Sequence, residues 1–112
     1  MVRRSAAAFL TSGYEGTSIE ELVSATGLHR GSLYKAFGSK RGLFVTCLEA
    51  VLKSSPGNDA TDLTLVALLE LAPRDREVRT ILAAHVGPES AHALGARLLE
   101  RAHIPATQGE SR

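Results

Sequence analysis

A chain of 112 residues, 44% hydrophobic and 22% charged with 4% aromatic residues, has the composition of an ordinary globular protein and room for one modest core. That excludes extended disorder and a large two-domain protein with a roomy cavity. The net charge of +1 hides an asymmetry, since residues 1–53 carry seven Lys/Arg against four Asp/Glu and residues 54–112 carry six against eight. A basic first half joined to a mildly acidic second is the pattern of a chain that turns one end toward a polyanion.

Cys47 is the single cysteine, which rules out an intrachain disulfide and gives no sign of an oxidising compartment. No apolar run approaches the roughly 18 residues that span a bilayer, and the amino terminus lacks a signal-like stretch. A cytoplasmic location is the expectation.

In chain order, Arg3 to Thr11 is alanine-rich with Phe9 and Leu10 and reads as a first helix stopped by Ser12-Gly13. Thr17 or Ser18 caps the next, because both Thr17…Glu20 and Ser18…Glu21 have capping-box spacing. Ile19, Leu22 and Val23 form its apolar stripe and Thr26-Gly27 ends it. Leu28 is the buried anchor of the turn. A third helix runs from about His29 or Arg30 to Ala36, with Leu33 and Phe37 on one face.

Gly38-Ser39-Lys40 is a second turn, with Ser39 as cap. The fourth helix carries the clearest amphipathic seam of the chain, Leu43, Phe44, Cys47, Leu48, Val51 and Leu52. Residues 54–60 read as a linker, since Ser54-Ser55-Pro56-Gly57-Asn58 has linker composition. Thr61 or Asp62 then caps a helix to about Leu71. Further helices over Asp75 to His85 and Glu89 to Ala102 follow, each set off by a proline, and residues 105–112 form a polar tail. The expectation is an all-α fold with residues 1–53 as an amino-terminal unit, a helix pair at about 18–37 within it, and a small helical region at 61–104.

The ordered residues Gly13-Tyr14-Glu15-Gly16-Thr17-Ser18, Glu21-Leu22-Val23…Gly27 and Arg30-Gly31-Ser32-Leu33-Tyr34…Phe37-Gly38-Ser39-Lys40…Leu43 closely resemble the DNA-binding domain of the tetracycline-repressor family of bacterial transcriptional regulators. The likeness covers about Arg4 to Leu52. It implies a helix-turn-helix whose third helix enters the major groove of an operator, in a protein that acts as a repressor.

Family roles carry over residue by residue. Thr17 or Ser18 would hold a phosphate at the start of the second helix, and Tyr34, Lys35 and Lys40 would contact phosphates. His29, Arg30 and Ser32 would reach base edges, with Arg30 suited to guanine, and Gly31 would keep the helix slim against the duplex. Plainer readings stand beside these. Tyr34 is also a half-buried aromatic by position and Arg30 a solvated charge, while His29 is a poorer helix cap than the hydroxyl residue common in the family.

Cys47 sits in the fourth helix's apolar seam and reads as a structural thiol. His85, His92 and His103 have no regular spacing and no accompanying ligand set, so neither metal nor cofactor is expected. No nucleophile elbow, phosphate-cradling glycine loop or HExxH pattern suggests an enzyme.

Residues 54–112 are far fewer than the family's second domain, and the segment Leu68 to Arg79 resembles only its middle. This leaves a small-molecule effector pocket without obvious walls and the usual dimer surface missing. A homodimer through a different, carboxy-terminal interface is the expectation, motivated by the wide apolar faces of Leu63–Leu71 and Leu94–Leu99. The alternative is a helical interaction protein that pairs with another protein instead of binding DNA alone.

Overall fold

The computed structural model describes residues 2–54 and 57–104. The expected tail, 105–112, and two residues of the expected linker, Ser55 and Pro56, lie outside the described residues. Seven α-helices follow one another: α1 (Val2–Ser12), α2 (Ile19–Thr26), α3 (Arg30–Phe37), α4 (Lys40–Lys53), α5 (Asn58–Glu70), α6 (Arg76–Ala83) and α7 (Ala91–Arg101). Short 3₁₀ turns at Ala72–Arg74 and Pro88–Ser90 begin close to the two proline interruptions. The described residues contain no strand, so the fold is all-α. None of their helices is long and apolar enough to cross a membrane.

The first four helices start and stop where local chemistry directs. Ser18, not Thr17, caps α2, with the Glu21 N–H donating to Ser18 Oγ at 3.0 Å and the Ser18 N–H donating to Glu21 Oε1 at 3.0 Å. Gly27 closes α2 in the left-handed region at φ +76°, its N–H donating to the Val23 carbonyl at 2.9 Å. Ser39 caps α4 through the Gly42 N–H at 3.0 Å.

The fifth helix differs from expectation. It begins at Asn58, capped by Gly57 without a side-chain bond, and neither Thr61 nor Asp62 acts as its cap. Thr61 Oγ1 instead donates back to the Gly57 carbonyl at 3.1 Å, within the helix's own first turn. Asp62 is nearly buried and engages Arg97 and Arg101 of α7.

α4 is the central element. Its Leu43, Phe44, Cys47 and Leu48 are fully or almost fully buried, in one apolar cluster that takes Ala6 and Phe9 from α1, Leu22 from α2, Leu33 from α3, Leu63 and Ala67 from α5, and Val78 and Leu82 from α6. One core therefore runs through both halves of the chain. Phe9 and Phe44 are fully buried in it and the half-buried Tyr14 packs against them, with Phe44 edge-on to Phe9 at 5.0 Å and to Tyr14 at 5.3 Å between ring centroids. Each such edge-to-face pair adds roughly 0.5–1.5 kcal/mol beyond the area it buries.

α7 is the exception, with no side chain in the core and Leu98, Leu99 and the following Ile104 exposed. Two open clefts flank α5. One of about 490 Å³ lies between α1, α4 and the start of α5, and one of about 420 Å³ is lined by Val51, Leu52, Thr64, Val86 and Leu94 among others. Both clefts are open to solvent, and neither is an enclosed cavity.

Candidate nucleic-acid interface

α2 and α3 form a helix-turn-helix held against α4. Leu33 is buried and Phe37 half-buried, both facing the core, and at 100° per residue this puts Gly31 and Lys35 on the opposite side of α3. His29, Arg30, Gly31, Ser32, Tyr34 and Lys35 are all exposed, and Tyr34 keeps 42% of its surface in solvent. A Cβ added at Gly31 would meet no atom within 4 Å. No packing demand of the chain itself requires glycine there.

His29 occupies the cap position of α3 with extended backbone and no side-chain cap bond, so the amides of this helix start lack a side-chain acceptor. Arg30 is ion-paired with Glu20 across the two helices, both side chains being mostly exposed. Glu20 was not among the residues expected at this surface; on sequence it reads only as one arm of a possible capping box. Beside α3, Ser18 is exposed and its capping box occupies the Ser18 and Glu21 amides, leaving those of Ile19 and Glu20 without an intrahelical partner. The bond from the Ser18 amide also holds the Glu21 carboxyl below its ordinary pKa.

Two expected phosphate ligands are placed differently. Thr17 is completely buried, its Oγ1 donating to the Gly13 carbonyl at 2.6 Å and its N–H to the Tyr14 carbonyl at 3.3 Å. Both of its donors face inward, so Thr17 is a packing residue and Ser18 alone keeps an exposed hydroxyl. Lys40 is half-buried, with Nζ donating to the Tyr14 and Thr17 carbonyls at 3.0 and 3.2 Å and lying 4.5 Å from the Tyr14 ring centroid. An ammonium has three donors. With two directed into the loop before α2, Lys40 is first a clamp on that loop.

A helix-turn-helix with this exposed third helix matches a known domain. Residues 2–47 fit the family model described as bacterial regulatory proteins, tetR family. Residues 2–47 are thus similar to a tetR-family domain. An uncharacterized HTH-type transcriptional regulator of Bacillus subtilis (strain 168), YezE, is 40% identical to the chain over 53 residues, a stretch that covers 47% of this chain and 27% of that protein. The chain thus spans about a quarter of the length of this relative. No solved structure matches it.

The tetR-family domain is not free-standing. Arg41, at the start of α4, holds Asp75 at the start of α6 through Nε–Oδ2 at 2.6 Å and Nη2–Oδ1 at 2.8 Å, and reaches Glu77 at 2.8 Å. These contacts raise the Arg41 pKa and lower that of Asp75 to about 2, in each case chiefly through the side-chain hydrogen bonds between the two. Sequence reasoning missed this pair because its members lie 34 positions apart with no local pattern to join them.

Proposed function

We propose that the chain is a bacterial transcriptional regulator, a repressor, whose α3 enters the major groove of operator DNA. The exposed outer face of α3 carries the reading: Arg30, Ser32, Tyr34 and Lys35 surround a glycine that the protein's own packing does not need. Lys35, Tyr34 and the Ser18 helix start serve phosphates, while His29, Arg30 and Ser32 read base edges. Arg30 must leave or share Glu20 to do so.

Binding measured by fluorescence anisotropy over a salt series tests the reading. Lys35→Ala is expected to weaken binding to all sequences and reduce the slope of log affinity against log salt by about one. Arg30→Ala is expected to relax preference at one base pair, losing about 1–3 kcal/mol of discrimination. Absence of binding to any promoter fragment at low salt overturns the reading.

We further propose that two copies pair through α7, placing two α3 helices on paired half-sites. The exposed Leu98 and Leu99 on a helix with no core residue support this. A dimeric mass by light scattering at tens of micromolar is expected, and a strictly monomeric one overturns it.

A further inference from the structure

The structure assigns Glu70, the last residue of α5, the role of positioning residue for the start of α2. This role rests on the DNA-binding reading above and adds to it a residue outside the tetR-family domain. Glu70 Oε1 accepts the Glu15 N–H at 2.8 Å and Oε2 accepts the Tyr14 N–H at 3.2 Å. Successive amides of a turn converging on one carboxylate form the arrangement with which backbone loops hold anions. Bonds of this kind, with a charged acceptor, are roughly twice as strong as neutral ones.

The turn is built to admit that carboxylate. Gly13 has φ +79°, and a Cβ there would fall 2.7 Å from Glu70 Oε2. Glycine suits the left-handed backbone there, and a side chain would also push the acid from its present position.

On the other side of the same loop, Lys40 Nζ binds the carbonyls of Tyr14 and Thr17. The segment Gly13–Thr17 is thus gripped by an anion on its amides and a cation on its carbonyls. The next residue is Ser18, the cap of α2 and the exposed helix start assigned to a phosphate. Position and direction of that helix start follow from the loop, and the loop follows from Glu70. The carboxylate touches no DNA in this scheme; it acts through Tyr14 and Glu15.

The test compares wild type with Glu70→Ala and Glu70→Gln in the full chain, by amide hydrogen exchange without DNA and by DNA binding across salt. Glu70→Ala is expected to speed exchange at Tyr14 and Glu15 by about tenfold or more, with α4 core amides unchanged. Its DNA affinity is expected to fall about tenfold, with the salt slope nearly unchanged because the Ser18 hydroxyl and the helix-start amides are uncharged phosphate donors.

Glu70→Gln, which keeps one carbonyl acceptor but sets an NH2 donor against the second amide, is expected to recover only part of both. Unchanged exchange at Tyr14 and Glu15 overturns the assignment, as does faster exchange with wild-type DNA affinity. If the wild-type chain binds no DNA, the functional reading falls and the positioning role with it, while exchange at the two amides separately reports whether Glu70 holds the loop.

Discussion

Arg41 grips the Asp75 carboxylate through two nitrogens, at 2.6 and 2.8 Å, and Asp75 in turn caps α6 by accepting the Val78 N–H at 3.1 Å. One acid therefore both starts a helix of the carboxy-terminal region and ties that helix to the tetR-family domain. Asp75→Asn should cost about 1–3 kcal/mol near neutral pH, the range for a charge-assisted hydrogen bond together with a weakened cap.

The pH dependence has a defined sign. The folded pKa of Asp75, about 2, lies below the ordinary value of 3.8, so its contribution is complete above the unfolded value and disappears as pH falls from about 4 toward 2. Thermal unfolding of wild type and Asp75→Asn should differ by on the order of 10 °C at pH 7 and converge near pH 2.

Gly31 separates stability from recognition. With open space around its Cβ position and no positive φ, Gly31→Ala should raise stability by roughly 0.5–1 kcal/mol through helix propensity. Affinity for DNA should fall in the same variant, because under the proposed docking the added methyl would face the groove. Paired denaturant melts and binding isotherms check both halves, and a gain in stability with unchanged affinity would show that α3 does not make a close approach at this point.

Cys47 is buried in the core, and burial pushes its thiol up to about 12. In the native protein it should resist a thiol-specific reagent at pH 8 over times in which a free thiol reacts completely. Reaction in denaturant should be fast and stoichiometric, and labelling under native conditions should track the population of opened molecules.

Asp62 joins α5 to α7 by accepting from Arg97 at 2.7 and 2.9 Å, with Arg101 at 2.9 Å, and its pKa is lowered, mainly by the hydrogen bond from Arg97. Since α7 has no side chain in the core, Asp62→Ala should release this helix before the rest unfolds. Amide exchange across residues 91–101 should accelerate by about tenfold or more while α4 retains its protection.

Features set by neighbours in the chain were legible in the sequence. The capping box of Ser18 and Glu21, the Gly27 stop and the Ser39 cap depend on residues three or four positions apart, and the seam of α4 on one helical period. What escaped was set across the fold. Thr17 has the right residue type for a phosphate site, but Phe9, Tyr14 and Phe44 close the core beside its loop and the hydroxyl turns inward. Thr61 and Asp62 look like helix caps, yet the chain enters α5 earlier and gives Asp62 to two arginines more than 30 positions away. Lys40 was expected at a phosphate from the resemblance and its place at the opening of α4, and its bonds to the Tyr14 and Thr17 carbonyls, more than 20 positions away, have no local pattern to announce them.

The clasp between Glu70 and the turn at Gly13 also bears on how this protein could be re-engineered. Cutting after α4 and grafting the first four helices onto a foreign body would remove the acid that the Tyr14 and Glu15 amides require. A working chimera needs the exchange point beyond Glu70 and Asp75, or a recipient that supplies a carboxylate at each of the two places. The natural unit of transplantation is longer than the stretch that resembles the family domain.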